Sequence, residues 1–272
     1  MVGRRGRGAG WSAVLDRGAG AAGRAQALAP VAASAVSLVA ATMIVVAGYA
    51  GTAVLALGLV MLVLVLAAGW PVLLSLPDPI GSAALVALTG LGAVGVGMRP
   101  PEPDRPLAGF AVLLSLSVIA AFGHELVRRD GRHDLVDSVT GTLSGQVLAM
   151  LGAGWLLLPD AQIGVATLLV AAVAVASARA ATALPWPVSV TGWVAFVAGL
   201  IGALLAALTQ QGFIDLAPAA AMGLAVAGVV AALDRLLNAE PHGRGGLGLV
   251  AAAIAPVLVA GTVAYAAVRL LG

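Results

Sequence analysis

Cysteine and lysine do not occur among the 272 residues of this chain, and aromatic side chains make up only 4 % of it. The missing cysteine excludes disulfides, thiol catalysis and thiolate metal sites, and removes any guide to the redox compartment. The missing lysine leaves all fourteen basic residues as arginine. With the excess of Ala, Gly and Val, this is the imprint of GC-rich codons, as in a bacterial, actinobacterial-like source. So few aromatics leave little to stack on bases, and no nucleic-acid partner is expected. No nucleotide-binding signature is present and no connection is long enough to fold as a soluble domain, so no cofactor is expected either. Charge is scarce too, at 10 % of residues against 61 % hydrophobic ones.

What remains is more apolar surface than a soluble domain of this size buries. The mean hydropathy of +1.07 points to a bilayer, and the expected fold is all-α, a polytopic integral membrane helix bundle. Nine apolar runs approach the ~20 residues that a bilayer core requires. They lie near 28–49, 51–76, 79–98, 106–127, 135–158, 162–182, 188–209, 217–237 and 248–270. Proline and glycine punctuate the joins, as at Gly48 to Gly51, Leu76-Pro-Asp-Pro79, Pro100 to Pro103, Leu184-Pro-Trp-Pro187 and Pro241 to Gly246. Barrel strands would alternate apolar and polar positions over about ten residues, whereas these runs are apolar on every face. Trp70, Trp155, Trp186 and Trp193 fall near span ends, where interfacial tryptophan is expected.

Arginine placement orients the spans. With the N-terminus inside, Arg4, Arg5, Arg7, Arg17, Arg24, Arg128, Arg129, Arg132, Arg179, Arg235 and Arg244 lie on the inner side, and Arg99, Arg105 and Arg269 on the outer. This asymmetry is that of the positive-inside rule and predicts N-in, C-out in a bacterial cytoplasmic (inner) membrane. Residues 1–30, rich in Gly and Arg, read as a disordered cytoplasmic arm suited to anionic lipid headgroups, and residues 31–272 as the transmembrane domain. Leu76-Pro-Asp-Pro79 and Leu184-Pro-Trp-Pro187, 108 residues apart, suggest a parallel repeat of four spans plus four with the ninth unpaired. The competing reading is that Pro-x-Pro recurs at helix ends.

Nine of the 29 ionisable residues (14 basic, 12 acidic, 3 His) fall between His124 and Asp137. Helix-end physics accounts for most of this hairpin. Arg128 and Arg129 suit the negative end of the fourth span, while Asp134 as a cap and Asp137 in the first turn suit the positive end of the fifth. Asp130-Gly131 makes the turn, and Glu125 precedes Arg128 and Arg129 at helical ion-pair spacing. His124 and Glu125 lie a turn deeper than the arginines. From Asp137 a polar stripe continues through Ser138, Thr142 and Gln146 at helical spacing, alongside the Gly141-Thr-Leu-Ser-Gly145 motif that admits close helix approach. Charge drawn inward from a mouth is how a hydrophilic pathway or headgroup pocket begins.

Sharper chemistries fit less well. His124-Glu125 opens like the zinc protease motif HExxH, but position 128 is Arg where the second ligand belongs. Asp130-Gly131 opens like the CDP-alcohol phosphatidyltransferase pattern, yet Asp134 and Leu135 stand where that pattern has Ala-Arg.

Three functional readings follow. The first is a permease, exporter or flippase-like transporter using His124, Glu125, Asp137, Ser138, Thr142 and Gln146. The second is a membrane-embedded transferase acting on lipid or polyprenyl phosphate, with Arg128, Arg129 and Arg132 gripping phosphate and Asp130, Asp134 or Asp137 holding Mg²⁺. The third is a non-catalytic subunit whose hairpin docks a membrane or cytoplasmic protein. A reporter fused after Gly272 is expected to report from the outer side; a cytoplasmic signal would mean an even number of spans.

Overall fold

The structure is a computed structural model that describes residues 8–100, 105–128, 134–158, 162–239 and 246–271, with residues 8–28, 188, 238, 239 and 271 described by their backbone alone. These residues form helices and turns, with no strand among them. In chain order the helices are α1 (Gly8–Ala50), α2 (Thr52–Leu73), α3 (Pro79–Gly97), α4 (Ala108–Val127), α5 (Leu135–Leu151), α6 (Gln162–Thr182), α7 (Val188–Thr209), α8 (Leu216–Ala239) and α9 (Gly246–Leu271). A 3₁₀ helix, Gly152–Leu157, continues α5. The chain is an all-helical bundle of the polytopic membrane type. Eight of the helices carry an apolar stretch of 19 to 25 residues, enough to cross a hydrocarbon core while every backbone N–H and C=O is satisfied within its own segment. In α1 that stretch is Ala29–Ala50, and Pro30, which removes one ladder hydrogen bond, stands at its start.

The joins follow from local chemistry. The α1–α2 connection is a single residue, Gly51, whose φ of 114° would strain any other side chain. At α3, Asp78 accepts the Gly81 N–H at 3.1 Å and Pro79 takes the first turn, where a missing N–H costs nothing.

The fifth span differs from the uniform helix expected over 135–158. It is α-helical only to Leu151, 17 residues, and then tightens into the 3₁₀ segment. The cause is α9. A Cβ on Gly154 would collide with the backbone of Thr262, and one on Gly261 would stand 2.6 Å from Trp155 Cδ1, so the two chains interlock glycine against neighbour in both directions. The Thr262 hydroxyl donates to the Leu151 carbonyl at 2.7 Å, taking up an acceptor at the transition. Trp155 is correspondingly not interfacial: it is 1 % exposed and donates its Nε1 hydrogen to the Val257 carbonyl at 3.0 Å. Trp70 is buried as well, bonded to the Gly141 carbonyl at 2.9 Å. Trp186 and Trp193 are exposed, as span-end tryptophans should be.

Despite its length, α5 with its extension follows α3 from end to end. Ser82 meets Thr142, Thr89 meets Gln146, and Gly97 lies against Leu156. At the centre, α9 packs against α1, α2, α5, α6, α8 and the 3₁₀ segment, presenting Ala251, Ala253, Ala255, Ala260 and Ala264, all fully buried. α4 lies at the margin, in contact with α3 and α5. The two sets of four do not pack alike: α1 lies against α2, but α5 and α6, their counterparts in a four-plus-four repeat, have no comparable contact.

Gly154→Ala is expected to lower the unfolding temperature in detergent, since overpacking against backbone costs about 1–3 kcal/mol. Gly95→Ala, where a Cβ meets nothing within 4 Å, should leave it unchanged. Equal effects would refute the interlock.

Candidate functional site

The charged hairpin is the first place to look. Glu125, in the last turns of α4, is 3 % exposed. Its Oε2 accepts from Arg128 Nη1 at 2.8 Å and its Oε1 from the Ser138 hydroxyl at 2.5 Å, while Arg128 Nη1 also reaches Ser138 Oγ at 2.9 Å. One step earlier, His124 Nε2 lies 3.3 Å from Asp78 Oδ2, and its ring rests on Gly81, where a Cβ would strike it. The pair of residues thus ties the end of α4 to the start of α5 on one side and to the N-cap of α3 on the other. These polar contacts add to the apolar packing of α4 on α3, where Leu113 lies against Gly92 and Val96 against Gly109.

The inward stripe is closed by partners. Thr142 and Ser82 share a hydrogen bond of 2.8 Å, Gln146 Nε2 donates to Thr89 Oγ1 at 3.1 Å, and all four side chains are buried. Gln146 Oε1 has no hydrogen-bond partner among the described residues. Gly145 admits Trp70, whose Cδ1 would be 2.5 Å from a Cβ there, so the small-residue motif receives an indole. Asp137 stands exposed, apart from the buried members. Asp134 is exposed with a left-handed backbone, φ 54°, and makes no side-chain cap, in contrast to the capping role expected of it. Its carbonyl instead accepts the Ser138 N–H at 2.9 Å. Arg129, Asp130, Arg132 and His133 lie outside the described residues. Among the described residues no three His, Asp or Glu side chains gather closely enough to hold a metal.

A second constellation was not singled out by the sequence. Arg179, in the last turn of α6, is 5 % exposed. Its Nη1 donates to Asp234 of α8, and its Nε donates to the Ser37 hydroxyl of α1 at 3.0 Å, which passes the bond to the Ala253 carbonyl of α9 at 2.7 Å. The Ser34 hydroxyl and Thr182 Oγ1 both donate to the Arg179 carbonyl, at 2.6 and 2.9 Å. One arginine therefore joins α1, α6, α8 and α9. Asp234 and Arg235 look in sequence like a local charge pair; the structure sends Asp234 to Arg179 and leaves Arg235 exposed. The available signal was an arginine inside an otherwise apolar helix, which demands a buried partner.

Beside this network a cavity of about 560 Å³ opens at the predicted inner end. Arg179, Thr182, Asp234, Arg235, Thr191 and Trp186 contribute its polar lining, with Leu73, Leu184, Leu237 and Leu249 as apolar walls. At the opposite end another cavity, about 750 Å³, is bounded by Tyr49, Leu55, Trp155, Gln162, Leu168 and Gln210. Comparisons of the chain with protein-family models, with curated proteins and with solved structures found no match.

Asp234→Ala strands the buried Arg179 charge and should destabilise the protein by about 3–5 kcal/mol, whereas Arg179→Met with Asp234→Leu should recover most of that loss. Denaturation of the purified variants measures both; a double variant no better than the single one would refute the pairing.

Proposed function

We propose that this multi-pass membrane protein is a permease or flippase-like transporter, with the two cavities as opposite mouths of one pathway along the α1–α6 seam. The observation that carries this reading is their placement. Both are lined by α1, α2 and α6, one by Ala33, Leu73 and Arg179, the other by Gly48, Leu55 and Leu168. α1 and α6 run antiparallel between them, with Ser34 against Arg179 at one end and Gly48 against Leu168 at the other. Ala41, Ile44, Ala171, Ala172 and Val175 are buried in between and form the closed stretch. Small residues there give low barriers to sliding, because alanine surfaces pass one another without interlocking.

In this reading the chain crosses the bacterial inner membrane nine times, N-in and C-out, with α5 and its 3₁₀ extension as the fifth crossing and residues 1–30 as an arm at anionic lipid. His124, Glu125, Ser138, Thr142 and Gln146 serve by holding α3, α4 and α5 together as a frame beside the moving seam.

The absence of native cysteine makes the test clean. Ala33→Cys should react with a membrane-impermeant maleimide only from the inner side, Val165→Cys only from the outer side, and Ala171→Cys from neither in the resting protein. Labelling of Ala33→Cys and Val165→Cys from one same side, or of neither, would sink the pathway.

A further inference from the structure

We infer that the inner-end cavity binds an amphiphile with a phosphate or carboxylate head, held by Arg235 of α8, whose side chain reaches the first turns of α7; this rests on the transporter reading and names its substrate class. Three ionised groups line the cavity, and two of them cancel. Arg179 is committed to Asp234 and Ser37, which leaves one net positive charge on Arg235. That side chain has no hydrogen-bond or acidic partner among the described residues and reaches across to α7. There Gly192 makes room for it: a Cβ would stand 2.7 Å from Arg235 Nη2. The guanidinium fork suits the planar geometry of phosphate or carboxylate oxygens, which it can grip by two bonds at once.

The start of α7 adds to this. Pro187 precedes the helix and no side chain caps it, and the cavity borders its beginning at Trp186, Thr191 and Gly192, where the positive end of the helix dipole favours negative charge. An anion placed by Arg235 would lie beside that end. Leu73, Leu184, Leu237 and Leu249 then cover an aliphatic chain that inorganic phosphate lacks. The volume, about 560 Å³, lies within the roughly 300–1,000 Å³ of cavities that enclose small organic ligands.

The full chain in an uncharged detergent is titrated calorimetrically with decyl phosphate, inorganic phosphate and decanol. Decyl phosphate should bind saturably and at least tenfold more tightly than either of the others. Decanol binding as tightly would show that the arginine plays no part, and inorganic phosphate binding as tightly would show that the apolar walls play none; either result overturns the inference. Arg235→Gln should weaken decyl phosphate about tenfold, the loss of one charge-assisted contact, with decanol unaffected. Arg235→Lys should recover part of it. Gly192→Ala should displace the guanidinium and weaken binding severalfold without changing the unfolding temperature, because the atom it strikes is the end of a flexible side chain. Arg235-dependent binding with Ala33→Cys unreactive from both sides would keep the site and refute the pathway. An accessible Ala33→Cys without preference for the charged head would do the reverse.

Discussion

Close approach of backbones around α9 is the constraint on which the rest of the bundle depends. Inside a bilayer, lipid tails solvate apolar side chains as well as a neighbouring helix does, so association must come from tight van der Waals fit and from hydrogen bonds. Alanines along α9 and glycines on its neighbours supply that fit. Gly69 lies against the Leu247 carbonyl, Gly152 against Leu258 and Gly154 against Thr262. None of these contacts leaves room for a side chain at the glycine, and the Gly154 contact lies where the fifth span has 3₁₀ geometry.

Polar side chains are then used sparingly, and almost every buried one secures a junction between helices. Arg179 binds four of them at one end. The Glu125–Arg128–Ser138 triad links α4 to α5, and the His124–Asp78 pair lies between α4 and the N-cap of α3. An ion pair in low dielectric must have both its charges satisfied or lose more by desolvation than it gains, and that requirement locks the helix ends in register. Where the pairing is complete, as at Arg179, the result is a joint. Where a cation has no acidic partner among the described residues and lines an open cavity, as at Arg235, the same physics offers a place for an anion from outside the chain.

Both cavities border α1, α2 and α6. Between them the buried side chains of the seam are alanine, leucine, valine and isoleucine, and the hydrogen bonds described between α1 and α6 gather at the Arg179 end, on Ser34 and Ser37.

Helices were legible in the residues because lipid leaves the backbone no alternative: any apolar run of about 20 residues must satisfy its own N–H and C=O groups, and the expected boundaries coincide with the helices to within a few residues except at α1, which already begins at Gly8, and at α5, which ends at Leu151. The hairpin at His124 to Asp137 was legible for a similar reason, as charge stands out against an apolar chain. Its members proved to bond one another, with Ser138 completing the pair of Glu125 and Arg128. The cavity at Arg179 and Arg235 was not legible. Its lining comes from α1, α2, α6, α7, α8 and α9, residues up to about two hundred positions apart, and no local spacing encodes which helix ends meet. Sequence by itself determined that this chain must be helices in a membrane, because backbone satisfaction is a local, obligatory cost. Tertiary structure alone decided that Arg179 is neutralised by Asp234 while Arg235 lines a cavity, because that depends on distances between helices set by where glycine and alanine let backbones touch.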